Sequence, residues 1–199
     1  MLWQFFVRDF YLFLLYNQNM SLSVYEETQL IKTFSHEIGH FLVMQQTAAE
    51  FHSMVFEDCN NVREYENAIT EFELKPNCAE NLYALCKISI AGVIAEYLYK
   101  SDLINYEDVM TNFENIQFID KTIFDENLNS YLRLTTKQEN TRQLKEEIFN
   151  SVLTFLKEKR EKIQHFTDNM IQTVITYDNG INFPKIELID ISEIYSLMD

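Results

Sequence analysis

The chain has 199 residues, 47% of them hydrophobic and 24% charged, which is enough apolar material for one domain with a substantial core. Its net charge of −15 excludes a nucleic-acid-binding surface, because phosphate recognition needs clustered Lys and Arg. With 3 Gly and 2 Pro, turn-dense β-architecture and long linkers are excluded too, and a mainly α (α+β) domain is the expectation.

The chain opens on an apolar segment, residues 1–24, placed ahead of a main domain over residues 25–199. Leu2 to Tyr16 is rich in Phe, Leu, Trp and Tyr but carries Arg8 and Asp9. It is shorter than the roughly 20 apolar residues that cross a bilayer, and it ends in no small-residue cleavage site. For residues 1–19, three readings stand: a helix packed on the domain, a membrane-interfacial contact, and a non-native leader before Met20.

Glu26 to Gln46 has the rhythm of an amphipathic helix. Leu30, Phe34, Ile38 and Phe41 recur at helical spacing, and Ile31 and Leu42 widen the stripe. Phe51–Phe56 and Ala68–Leu74 read as two short strands, the second ended by Lys75-Pro76, because the residue before proline avoids the helical region. Glu80–Tyr99 is apolar nearly all round and is expected as a buried central helix. Phe113–Phe124 is expected as one further helix. Thr141–Tyr177 carries a long helical pattern with room for a break, stopped by Asn179-Gly180. The tail alternates at Ile186, Leu188 and Ile189 and closes on a short acidic helix. The cysteines, Cys59, Cys78 and Cys86, are odd in number and lack CxxC spacing, which predicts reduced thiols and a cytoplasmic setting.

Residues 36 to 40 spell His-Glu-Ile-Gly-His. Two histidines four apart on a helix lie one turn apart on the same face, so both imidazoles reach one metal ion. Imidazole nitrogen suits Zn2+, one per chain, and a catalytic zinc keeps one position open. Glu37 stands beside His36 as the candidate general base. Gly39 weakens the helix, which is explained if another backbone approaches closely there. His52 and His165 are isolated and are expected to be structural or surface residues.

A site of this kind needs a third ligand, often a carboxylate. Asp120 falls among Ile116, Ile119, Ile123 and Phe124, the apolar face of the expected Phe113–Phe124 helix, where an unpaired acid is costly. A metal or a cation partner would satisfy it. Glu96 is the lone acid of the apolar central helix. Glu114 and Asp108 lie near the start of the third helix, where the helix dipole also favours acids. The metal set is therefore His36, His40 and Asp120, with Glu114 and Glu96 as alternatives for the third place.

Thr33-Phe-Ser-His-Glu-Ile-Gly-His-Phe-Leu-Val43 resembles the active-site helix of FtsH-like zinc metallopeptidases, where His-Glu-Ala-Gly-His runs into small apolar residues. The order of elements over residues 25–195 is similar, and Ala91-Gly-Val-Ile-Ala-Glu96 resembles the family's Gly-Arg-Ala-Ala-Glu signature. The departures are Val93 in place of that arginine and Asn115, after Glu114, where the family's aspartate would align. No glycine-lysine phosphate loop of the family's ATPase domain occurs in these residues.

The resemblance implies a zincin-like helical peptidase domain with a small sheet beside the HEIGH helix. The function expected is hydrolysis of peptides or loose protein segments, unaided, as a homo-oligomer, or with a partner ATPase. Two alternatives share these residues: a non-catalytic metal-binding interaction module, and a regulatory peptidase for one protein.

Overall fold

A computed structural model describes residues 22–60, 62–115, 118–135 and 140–199; the apolar segment of residues 1–19 lies outside the described residues, and so does Ile116. The fold is mostly helical with one small antiparallel sheet, as the composition requires. In chain order the elements are α1 (Val24–Met44), β1 (Glu50–Glu57), β2 (Asn67–Glu73), α2 (Ala79–Lys100), α3 (Tyr106–Asn115), α4 (Phe118–Thr135), α5 (Thr141–Lys157), α6 (Arg160–Tyr177), β3 (Ile186–Leu188) and α7 (Ile191–Met198).

Helix α1 starts on a capping box. The Ser23 hydroxyl accepts from the Glu26 amide at 3.2 Å, and the Glu26 carboxylate accepts from the Ser23 amide at 2.7 Å. The expected stripe of Leu30, Phe34, Ile38 and Phe41 is buried. The far half of the helix is buried on its other faces too, through Glu37, Gly39 and His40. What covers it is α2, the central helix, which is buried along most of its length. By length and composition α2 could cross a membrane, but most of it is buried inside the fold, as a central core helix must be.

The sheet has the order β2-β1-β3, so β2 leaves one edge unpaired among the described residues. β1 pairs antiparallel with β2, from Glu50↔Glu73 to Glu57↔Asn67, and the register slips at His52, which sits as an extra residue between Phe51 and Ser53. On its other side β1 pairs with β3 through Met54↔Leu188 and Phe56↔Ile186. Phe34 of α1 meets Phe56 of β1 edge to face at 4.9 Å between ring centroids, and Tyr65 and Phe183 extend this cluster to the loops on either side.

Those two loops are clasped together by Arg63. Its guanidinium pairs with Glu26 of α1 and with Asp178 after α6, 2.7 Å away. Arg63 has a left-handed φ of 57°, a strain of about 1–2 kcal/mol for a non-glycine residue, offset by these two ion pairs. Asp58 completes the clasp by accepting from the backbone amides of Val62, Arg63 and Phe183.

The expected helix Phe113–Phe124 is instead the end of α3 and the start of α4. In one continuous helix these two phenylalanines would lie about 16 Å apart along the axis. Here their rings are 5.5 Å apart and edge to face, both buried, so the two residues do not lie on one continuous helix. Ile119 and Ile123, expected on an apolar buried face, are 73% and 39% exposed.

Candidate metal centre

Three successive turns of α2 shape the centre. Ile88, Gly92 and Glu96 lie four residues apart, so they share one face, and each meets a histidine of α1. The Ile88 carbonyl accepts from His40 Nδ1 at 2.7 Å. The Glu96 carboxylate is 2.7 Å from His36 Nδ1. Gly92 lies against the His36 ring: a Cβ there would fall 2.5 Å from Nε2. Next to this row, Gly39 of α1 meets Ala91 and Ala95. A Cβ on Gly39 would fall 2.7 Å from the Ala91 carbonyl oxygen and 2.6 Å from the Ala95 Cβ. The close backbone approach expected at Gly39 is therefore present, and it brings the helices near enough for these contacts.

With both Nδ1 atoms engaged, both Nε2 atoms are left to face the cleft, and there they meet Asp120. Its Oδ2 is 2.9 Å from His36 Nε2 and 3.4 Å from His40 Nε2. Burial opposes protonation of His36, but the hydrogen bonds to Asp120 and Glu96 outweigh it and hold its pKa well above the usual imidazole value. Burial is the largest influence on His40 and lowers it, but the charge and hydrogen bond of Asp120 together with the charge of Glu37 outweigh burial and neighbouring His36, so its pKa is raised too. Burial alone would raise Asp120, but the charge of His40 and the hydrogen bond with His36 hold it well below the ordinary carboxylate range.

The donor set fits zinc. It is two imidazole nitrogens of fixed tautomer and one carboxylate oxygen, a combination found in catalytic zinc sites. Tetrahedral ligands at zinc distances are about 3.3 Å from one another, close to the 2.9 and 3.4 Å seen between Asp120 and the two nitrogens. The donor atoms of His36, Glu37 and His40 also lie within 4.8 Å of one another. The Glu37 carboxylate, however, is engaged elsewhere: Thr70 Oγ1 of β2 donates to Glu37 Oε2 at 2.8 Å.

Of the residues expected at the site, His36, Glu37, His40 and Asp120 are brought together. Glu96 joins them from behind His36, on the ring nitrogen that faces away from Asp120. Glu114 is not there: it is exposed on α3 and pairs with Lys145 at 3.5 Å. Asp108 is exposed on the same helix. Asp120 arrives in the first turn of α4, not on an apolar face. Thr70, Gly92 and the Ile88 carbonyl were missed, because a hydroxyl from a distant strand, the space beside a glycine and a backbone carbonyl become part of the site only through the sheet and the helix crossing. His52, expected to be isolated, lines the cleft at the β1 bulge, while His165 is exposed on α6.

The centre opens on a cleft of about 1090 Å³. The free edge of β2 forms one wall from Asn67 to Phe72, and Ile119 and Ile123 of α4 stand among its other lining residues. No protein-family model, curated protein or solved structure matches the chain.

Proposed function

We propose that the protein is a zinc metallopeptidase of the HExxH type, with His36, His40 and Asp120 holding one zinc ion and Glu37 as general base. The observation that carries this reading is the convergence of two Nε2 atoms, each fixed through its Nδ1, on one carboxylate oxygen, with a buried glutamate beside them. A set of three protein donors on an open cleft favours catalysis over a structural site, which closes its coordination with four. Zinc, when bound, supplies a Lewis acid that polarises the scissile carbonyl and makes water a better nucleophile at neutral pH. Glu37 takes the proton of the attacking water on its carboxylate and hands it to the departing amine nitrogen. Glu96 and the Ile88 carbonyl keep the two imidazoles in the tautomer this requires. The edge of β2 left unpaired among the described residues offers backbone donors and acceptors to an extended peptide, which would pass between that edge and α4. Peptides and loose protein segments are therefore the substrates proposed, and the resemblance of the HEIGH helix to FtsH-like peptidases agrees with this.

The test is elemental analysis of protein purified without chelator, together with cleavage of unfolded casein. About one zinc per chain and chelator-sensitive cleavage are expected. Absence of zinc after reconstitution would sink the reading.

A further inference from the structure

We propose that Gly92 and Glu96 are positioning residues that set the His36 ring for metal before any metal arrives; this rests on the metal-centre reading above. The imidazole is held at three places. Glu96 Oε1 engages Nδ1 at 2.7 Å. Asp120 Oδ2 engages Nε2 at 2.9 Å. Between them the ring lies on the bare backbone of Gly92, so close that an added Cβ would fall 2.5 Å from Nε2 and 2.6 Å from both Cδ2 and Cε1. Such distances are far below carbon–carbon contact, and the obstructing atoms belong to a ring already held at both ends. A half-turn flip of the ring would set a carbon, not a nitrogen, against Glu96, so the flip is opposed as well.

Gly92 and Glu96 are one helical turn apart on the same face of α2, one supplying room and the other the anchor. This assigns a reason to a glycine in the middle of a 22-residue helix, where glycine is the poorest choice after proline. If Gly92 served the helix alone, alanine would improve it. If it serves His36, alanine displaces the ring and the metal suffers while the helix gains. The two roles therefore part on zinc affinity, unchanged by alanine in the first case and reduced in the second.

The experiment compares zinc affinity in the full chain and in Gly92→Ala, Glu96→Gln and Glu96→Ala, with folding followed by circular dichroism. Loss of a group that orients a metal-binding histidine costs about 10–100-fold in affinity. Gly92→Ala and Glu96→Ala are expected to lose that much while remaining folded. Glu96→Gln, whose amide oxygen still accepts from Nδ1, is expected to stay within a few-fold of the parent. Cobalt(II) loaded into Gly92→Ala should also show an altered visible spectrum, which reports ligand geometry and not stability. A folded Gly92→Ala protein with parental zinc affinity and cobalt spectrum overturns the role of Gly92 and leaves the metal centre standing. Equal affinities for Glu96→Ala and Glu96→Gln overturn that of Glu96. If Gly92→Ala does not fold, the Glu96 pair and the exchange protection of the His36 Nδ1 proton decide: protection in the parent and Glu96→Gln but not in Glu96→Ala supports the proposal, and no protection in the parent overturns it. A parent chain that binds no zinc overturns the metal reading itself.

Discussion

Thr70 Oγ1 donates to Glu37 Oε2 at 2.8 Å and lies 3.1 Å from the carbonyl oxygen of the same glutamate. Both residues are buried. The contact joins the free edge strand of the sheet to the helix that carries the histidines, so the strand proposed to pair with substrate also holds the proposed base.

Thr70→Val keeps the β-branched shape of the side chain and removes the donor. Zinc content and KM are expected to stay near the parent, while kcat falls about tenfold, the worth of one hydrogen bond of about 1.4 kcal/mol. Thr70→Ser should restore most of it. A rise in KM or a loss of zinc without a change in kcat would show that Thr70 serves the strand and not the base.

Glu37→Gln tests the base directly. It keeps the size of the side chain and an oxygen for Thr70 but cannot take a proton. Hydrolysis is expected to drop by about 10²–10⁴ with zinc retained. Zinc lost in parallel with activity would make Glu37 a ligand.

Asp120 and Glu114 provide a matched pair of acids. Asp120→Ala removes the oxygen that meets both Nε2 atoms, and zinc affinity should fall by more than 100-fold in a folded protein. Glu114→Ala removes an exposed partner of Lys145 and should change neither zinc nor stability by more than about 0.5 kcal/mol. Full zinc occupancy in folded Asp120→Ala would remove Asp120 from the centre.

Gly39→Ala sets helix propensity against packing. Alanine favours the helix by about 1 kcal/mol, but its Cβ would lie 2.7 Å from a backbone carbonyl on α2, which cannot swing aside. Overpacking of this kind costs about 1–3 kcal/mol, so a net loss of up to about 2 kcal/mol in urea denaturation is expected. A stabilised variant would mean that the helices have room to part.

Much of this was legible in the chain. The Leu30–Phe41 stripe, the apolar run of α2 and the two strands follow from periodicity, and the pair of histidines on one helix follows from their spacing. Ser23 and Glu26 form a readable capping box, and it starts α1 at Val24, two residues before the expected start at Glu26. No Gly or Pro separates α3 from α4, and the packing of Phe113 on Phe124 joins two residues that a single helix would hold apart. For the same reason Asp120 sits at the centre for a cause different from the one anticipated. β3 is three residues long and finds β1 from more than a hundred residues away, so no local signal betrays the pairing. Gly92 reads as a weak point of a helix until the His36 ring is laid against it.

Arg63→Ala reports on the clasp. It leaves Asp178, whose side chain is 2% exposed, without its cation, and a loss of about 2–3 kcal/mol at pH 7 is expected. Burial alone would raise Glu26, but its hydrogen bonds with Arg63 and Ser23 prevail and lower it from 4.5 to about 2. A carboxylate lowered on folding stabilises fully above its unfolded value, and that share is lost as pH falls from about 4.5 to about 2. Urea midpoints over this range should therefore decline steeply in the parent and less steeply in Arg63→Ala. Parallel declines would show that Arg63 does not set the Glu26 titration.

The open edge of β2 has one more consequence, for the protein in the company of its own copies. A strand able to receive a guest can equally receive its twin, and edge-to-edge growth of sheets is a common route to aggregation. Glu71 and Glu73 lie on this strand, and a parallel, in-register twin would set each against its like. The whole chain adds a mutual repulsion of −15. Both guards fade as the solution nears the isoelectric point of about 4.6. Around that acidity the molecule should precipitate while still folded, with β2 as the seam.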